Sequence, residues 1–264
     1  MPKHFNSVSR VCTILQKATS LGTNVPVAAG TGGFGGGGIS TTKAIDAWAM
    51  VFGIPGESLP ERNLQVGVML GVLYNEIELA HQKTSNTTFS PDLYESAYHN
   101  AKACINIETL SQAWDAQIRS LTAETIRSLM FCAEALPNEE QPIAPEDLAS
   151  LSQQVEQLRS LVNDGKLPED VKSFLLNQIR IIEEAIRRYP IQGNKAFGNG
   201  IVETAAEIAL HQDIVEQHSQ SEEFSSLGRV WKFIRERNTD VEIILKVIMV
   251  GQAAAAFAGH LLGS

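Results

Sequence analysis

The sequence predicts an all-α protein, a multi-helix bundle with a central antiparallel helical hairpin and a Gly-rich N-terminal loop. Three observations predict it. Apolar residues recur at steps of three and four along 148–162 and again along 171–189. Sustained apolar–polar alternation, the signature of a half-buried strand, is missing. Charge vanishes between Lys17 and Lys43, where glycines cluster, and such a stretch reads as loop. About eight to ten helices are expected over the 264 residues.

The chain opens on Met1-Pro2-Lys3-His4 and a mixed polar segment. It lacks the continuous apolar run of a cleaved signal peptide, so a cytoplasmic location is expected. The Gly-rich loop covers 22–39, with its densest part at 30–38. Ser40 or Thr41 then caps a helix that carries Trp48 and Met50 and runs to about Phe52. Gly53 to Pro60 breaks it. A longer helix spans Glu61 to about Lys83. Its middle, Leu64 to Tyr74, is nearly all apolar and contains Gly67-x-x-x-Gly71. Eleven residues are too few to span a bilayer, so this is read as a core helix packed closely on a neighbour. Ser90-Pro91-Asp92 supplies an N-cap, an N1 proline and a first-turn acid for a helix to about Cys104. Further helices are expected near 107–120 and 122–135.

Pro137, Pro142 and Pro145 with Glu139 and Glu140 mark a linker. It separates an N-terminal helical region, 1–137, from a C-terminal one, 144–264. Leu148, Leu151, Val155, Leu158 and Val162 then form a two-heptad seam. Asn163-Asp164-Gly165-Lys166 turns the chain. The second arm of the hairpin carries Val171, Leu175, Ile179, Ile182, Ile186 and Tyr189 on one face, with Glu183–Arg187 and Glu184–Arg188 as i,i+4 pairs on the other. Pro190 ends it. Helices over about Lys195–Gln217 and Glu222–Asn238 follow, then a tail helix.

Composition narrows the function. A hydrophobic share of 44% supports a real core. A net charge of −9 argues against a nucleic-acid partner. Cys12, Cys104 and Cys132 lack metal or redox spacing and read as reduced, packed thiols. Gly30-Thr31-Gly32-Gly33-Phe34-Gly35 formally matches G-x-G-x-x-G, but only the short Val25-Pro26-Val27 precedes it and no Gly-Lys-Ser/Thr occurs, so no nucleotide site is assigned. An uncharged insertion segment that meets lipid is another reading of it. Glu78-x-x-His81, Glu95 with His99, and Glu207 with His211 each share a helix face, yet a di-iron bundle needs two Glu-x-x-His pairs. No G-x-S-x-G elbow is present. No catalytic, cofactor or metal residue is assigned, and the balance leans away from an enzyme.

The last two helices are the most suggestive. Phe224, Leu227, Trp231 and Ile234 make one stripe of 222–238, and Arg229, Lys232, Arg235 and Arg237 make a cationic surface. A basic amphipathic helix with a tryptophan suits an anionic membrane surface. The last eighteen residues, 247–264, carry no charge. Gly251, Ala255 and Gly259 fall four apart, a small-residue seam that lets another helix approach; Gln252 and Phe257 flank it. A helix of that length reaches about 27 Å, barely the hydrocarbon thickness. Gln252 and His260 resist insertion. Two classes of function are therefore expected. One is a non-enzymatic effector, cytoplasmic and moving to the inner face of the membrane, whose tail self-assembles into a homo-oligomer and permeabilises the bilayer. The other is a cytosolic helical adaptor with a protein partner, its tail a buried core or oligomerisation helix.

Overall fold

The computed structural model describes residues 4–24, 42–56 and 59–238. The densest glycines, 30–38, and the tail residues Gly251, Gln252, Ala255, Phe257 and Gly259 lie outside the described residues. The protein is all-helical, with no strand among the described residues. It divides into two compact units, 1–140 and 141–264.

The first unit is organised around α1 (Ser7–Asn24), which the sequence reading did not mark as an element. Val8, Val11, Leu15 and Ala18 form its buried face. It packs on α2 (Ala44–Phe52), α3 (Leu59–Ser85) and α6 (Ala123–Ala135). α4 (Glu95–Ala103) covers α3 and α6. Ser40 and Thr41, the expected caps of α2, lie outside the described residues. The helix starts after Lys43, and its first N–H groups donate to the carbonyls of Gln112 at 2.9 Å and Leu110 at 3.0 Å. A neighbouring loop thus supplies what a capping side chain usually supplies. α2 closes at Gly53, whose φ of +66° only glycine adopts without strain.

Two other expected helices are shorter. Pro91–Leu93 is a 3-10 turn, and Tyr94 at φ −134° separates it from α4. Residues 107–120 hold a 3-10 turn, Ile107–Thr109, and the single turn α5 (Trp114–Gln117). Gln117 explains the irregularity. Its buried amide donates to the carbonyls of Cys104 at 2.7 Å and Asn106 at 3.1 Å, satisfying loop groups that a helix would have satisfied itself. Trp114 meets Trp48 edge-on at 5.3 Å, and both indoles are fully buried.

The second unit holds α7 (Pro145–Asp164), α8 (Glu169–Gln192), α9 (Lys195–Leu210), α10 (Gln212–His218) and α11 (Glu222–Arg237). α7 buries Leu151, Val155, Leu158 and Val162 as its spacing demands. It packs on α8, and Arg159 Nη2 donates to Glu183 Oε1 at 2.6 Å. Pro190 does not end α8. It removes one helical hydrogen bond, yet α8 runs on to Gln192, and Gly193 at φ +61° follows its last residue. Because α7 and α9 both pack on α8, Ile181 and Ala185 are buried beside Ile179 and Ile182. α9 and α10 are not continuous. His211 at φ −122° breaks them, with its ring nitrogen 3.0 Å from the Glu207 carbonyl. Gly200 sits where α8, α9 and α11 come near one another, and a β-carbon there would make ordinary van der Waals contacts, 3.5 Å to Ala185 and Ile181 and 3.6 Å to Trp231.

Candidate functional site

The basic helix is built as its sequence implies. Ser221 caps α11 by accepting from the Phe224 N–H. Phe224, Leu227, Trp231 and Ile234 are buried, α11 packs on α7, and Phe224 stacks on Phe174 with ring centroids 5.8 Å apart. Trp231 is only 2% exposed. It belongs to the core of this unit. Arg229 and Lys232 are exposed and Arg235 is half-buried. Arg237 is committed to Asp147, 2.8 Å away, and lies over the Phe233 ring at 3.6 Å.

The carboxylate–histidine pairs of the sequence are tied up in pairwise contacts. Glu78 bonds Lys102, and that hydrogen bond lowers its pKa. His81 bonds Glu95 at 3.0 Å and packs on the Tyr98 ring. Among the described residues no group of three His, Cys, Asp or Glu side chains could hold a metal ion. All three cysteines are free thiols and buried. Burial, with Cys132 nearby, pushes the Cys12 thiol up to about 12, and burial pushes Cys132 up to about 11. Neither is a nucleophile near neutral pH.

A feature hidden from sequence reasoning lies where α1 meets the end of the first unit. Arg10 is 5% exposed. Its guanidinium reaches Glu76 on α3 at 2.6 Å, Glu140 at 2.6 Å and Glu139 at 3.3 Å. Lys83 adds a second cation to Glu139 at 2.9 Å. The Ser7 N–H and hydroxyl also donate to Glu139, at 3.0 and 2.8 Å. Burial opposes ionisation of Glu139. The Ser7 and Lys83 donors outweigh it and hold the carboxyl below the usual glutamate range. Asn6 completes the clamp by donating to the carbonyls of Ala133 at 2.9 Å and Leu136 at 3.2 Å. Every carboxylate here is engaged by a cation, so the arrangement fastens chain segments and offers no free base. The available signal was an arginine inside the apolar run Val8–Leu15 and a glutamate on the apolar face of α3.

The Gly67-x-x-x-Gly71 motif does not face the core. α3 turns Val66, Met69, Leu70, Leu73 and Ile77 inward. Leu64 is 71% exposed, and Val68 and Tyr74 lie on the same outer face. A β-carbon at Gly67 or Gly71 would meet nothing within 4 Å. Each glycine therefore costs the helix about 1 kcal/mol relative to alanine, and no close internal approach offsets it. No helix of the described residues is long and apolar enough to cross a membrane. No known protein family, curated protein or solved structure matches the chain.

Proposed function

We propose that the chain is a non-enzymatic helical protein whose C-terminal segment, 247–264, associates with membranes and self-assembles, as a membrane-permeabilising effector does. The observation that carries this reading is an eighteen-residue uncharged end with Gly251, Ala255 and Gly259 in register, set after a cationic helix. Exposed Arg229 and Lys232 on α11 support it, since they offer anionic headgroups an electrostatic landing site. The test is flotation of the full-length chain and a 1–246 truncation with anionic liposomes, with dye release measured in parallel. Flotation and leakage that both need 247–264 are the expected result. Equal flotation of the two proteins overturns the reading.

A cytosolic adaptor, with the tail as a buried core or oligomerisation helix, is the second reading. The burial of Trp231 favours it, because the residue best suited to anchor α11 at a bilayer is spent on packing. Its expected signature in the same experiment is no flotation by either protein and lower thermal stability of the truncation.

A further inference from the structure

We infer that Cys12 of α1 and Cys132 of α6 form a redox-operated latch, two thiols set opposite each other that oxidation joins into a disulfide across the helix pair. The register places them. α1 packs on α6, and the two helices run antiparallel. Asn6 donates to the carbonyls of Ala133 and Leu136, and further along α1 the Gln16 amide nitrogen lies 3.3 Å from Met130 Sδ. Between these two ties Cys12 comes level with Cys132. Cys12 is one turn from Gln16, on the same side of α1. Cys132 belongs to the buried stripe of α6, after Thr125 and Leu129. Cys12 is 4% exposed and Cys132 1%. Cys12, Cys132 and Ala133 are small side chains, which let the two backbones approach, and a disulfide needs Cα atoms about 6 Å apart.

The surroundings agree with that register. A charge on Cys132 raises the pKa of Cys12, and charges on both raise that of Tyr98 on α4, so the three groups share one buried spot. Thr84 of α3 closes it, its hydroxyl 2.8 Å from that of Tyr98 and hydrogen-bonded to Cys132. Cys104 has a different neighbour, the Ala101 carbonyl at 3.0 Å. Burial keeps the pair protonated, and this sets the route of oxidation. When α6 moves aside, the thiolate of one cysteine attacks a low-molecular-weight disulfide such as oxidised glutathione. A mixed disulfide forms and one glutathione thiolate leaves. The second protein thiolate attacks the cysteine sulfur of that mixed disulfide, forms the Cys12–Cys132 bond and expels the other glutathione thiolate. The two protons lost by the protein thiols end on the two glutathiones. Reduced, α6 is free to part from α1; oxidised, it is held there.

Incubation of the full-length chain with oxidised glutathione at pH 8, followed by non-reducing peptide mapping, is the test. The expected product is one intramolecular Cys12–Cys132 disulfide with Cys104 free, formed slowly because it waits on the opening of α6. The bridge closes nearly the whole first unit into one loop. The oxidised protein should therefore unfold at least about 5 °C above the reduced one, and dithiothreitol should remove the gain. Cys104→Ser should keep both results, and Cys132→Ser should lose both. If Cys132→Ser fails to fold, the wild-type map and midpoint decide alone. A glutathione adduct on Cys12 or Cys132 that never closes overturns the inference, because the two sulfurs are then out of reach of each other. A bridge to Cys104, a link between two copies, or a Cys12–Cys132 bond that lowers the midpoint overturns it as well. So do three thiols that stay free in the folded protein while the urea-unfolded chain is oxidised.

Discussion

Arg10 Nη2 lies 2.6 Å from Glu76 Oε1, an ion pair between α1 and α3 in which both side chains are at most 5% exposed. Two charges this deep persist only when their desolvation is offset by close geometry and further hydrogen bonds. Glu139 and Glu140 supply those bonds, and Lys83 adds its charge. The first unit is thereby closed by charge as well as by its apolar core. Residues 138–140 are tied back to its first helix, with Phe5 donating to Asn138 and accepting from the Glu139 N–H.

Removing Arg10 should be among the costliest single changes in the first unit. Arg10→Met leaves three carboxylates crowded beside one lysine, and breaking a buried pair in this way costs about 3–5 kcal/mol. Arg10→Lys should recover only part of that, because one ammonium cannot span the partners that a guanidinium fork reaches. Urea unfolding of the three proteins checks it. A loss under about 1 kcal/mol for Arg10→Met would show that the network adds nothing to stability.

Glu139 should make the first unit acid-sensitive. Its folded pKa lies below the ordinary value of 4.5. The unfolded chain therefore binds its proton first as pH falls. The stability from this group is fully present above the unfolded value and is lost as pH drops through the folded one. The urea midpoint should hold steady near neutrality and fall below about pH 4.5. Glu139→Gln should lower the midpoint at pH 7 and shrink its drop between pH 5 and pH 3. An unchanged drop would place the acid sensitivity elsewhere.

The burial of the three thiols sets their chemistry. Alkylation with iodoacetamide at pH 8 should leave Cys12, Cys104 and Cys132 unmodified in the native protein and label all three in denaturant, because the thiolate is the reactive form and burial suppresses it. Mass spectrometry reads the count directly. Rapid native labelling of Cys132 would mean that α6 opens readily from α1.

The all-α class and the helices α7, α8 and α11 were legible because each shows one clean apolar stripe. What escaped is instructive. α1 hides its periodicity, because Arg10 and Ser9 are as buried as Val11, and their partners lie more than sixty residues away or in the local turn. Local sequence cannot show a contact between Arg10 and Glu140. Pro190 and His211 misled about helix ends for a related reason. α8 continues through Pro190 to Gln192, and α9 and α10 both pack on α8 on either side of the break at His211. Gly67 and Gly71 were readable as a close-approach motif but not as an outward-facing one, since the stretch is apolar all round. For the site, the stripe and cations of α11 were legible. The inward burial of Trp231 and the Asp147 partner of Arg237 were not, because both depend on which helix α11 packs against.

Gln178 gives the sharpest test of the second unit. It is 0% exposed on α8, among Leu175, Ile179 and Ile182. Neither atom of its amide has a hydrogen-bond partner among the described residues. On α9, the Thr204 hydroxyl is in the same condition. A buried amide without partners costs far more than a methylthioether of similar length, whose burial is favourable. Gln178→Met should therefore stabilise the protein by about 1–2 kcal/mol. Thermal and urea unfolding of the variant beside wild type decides it. A gain shows that the amide is an unpaired polar group, the weak point of an otherwise apolar helix packing. A loss of similar size shows that bound water satisfies the amide.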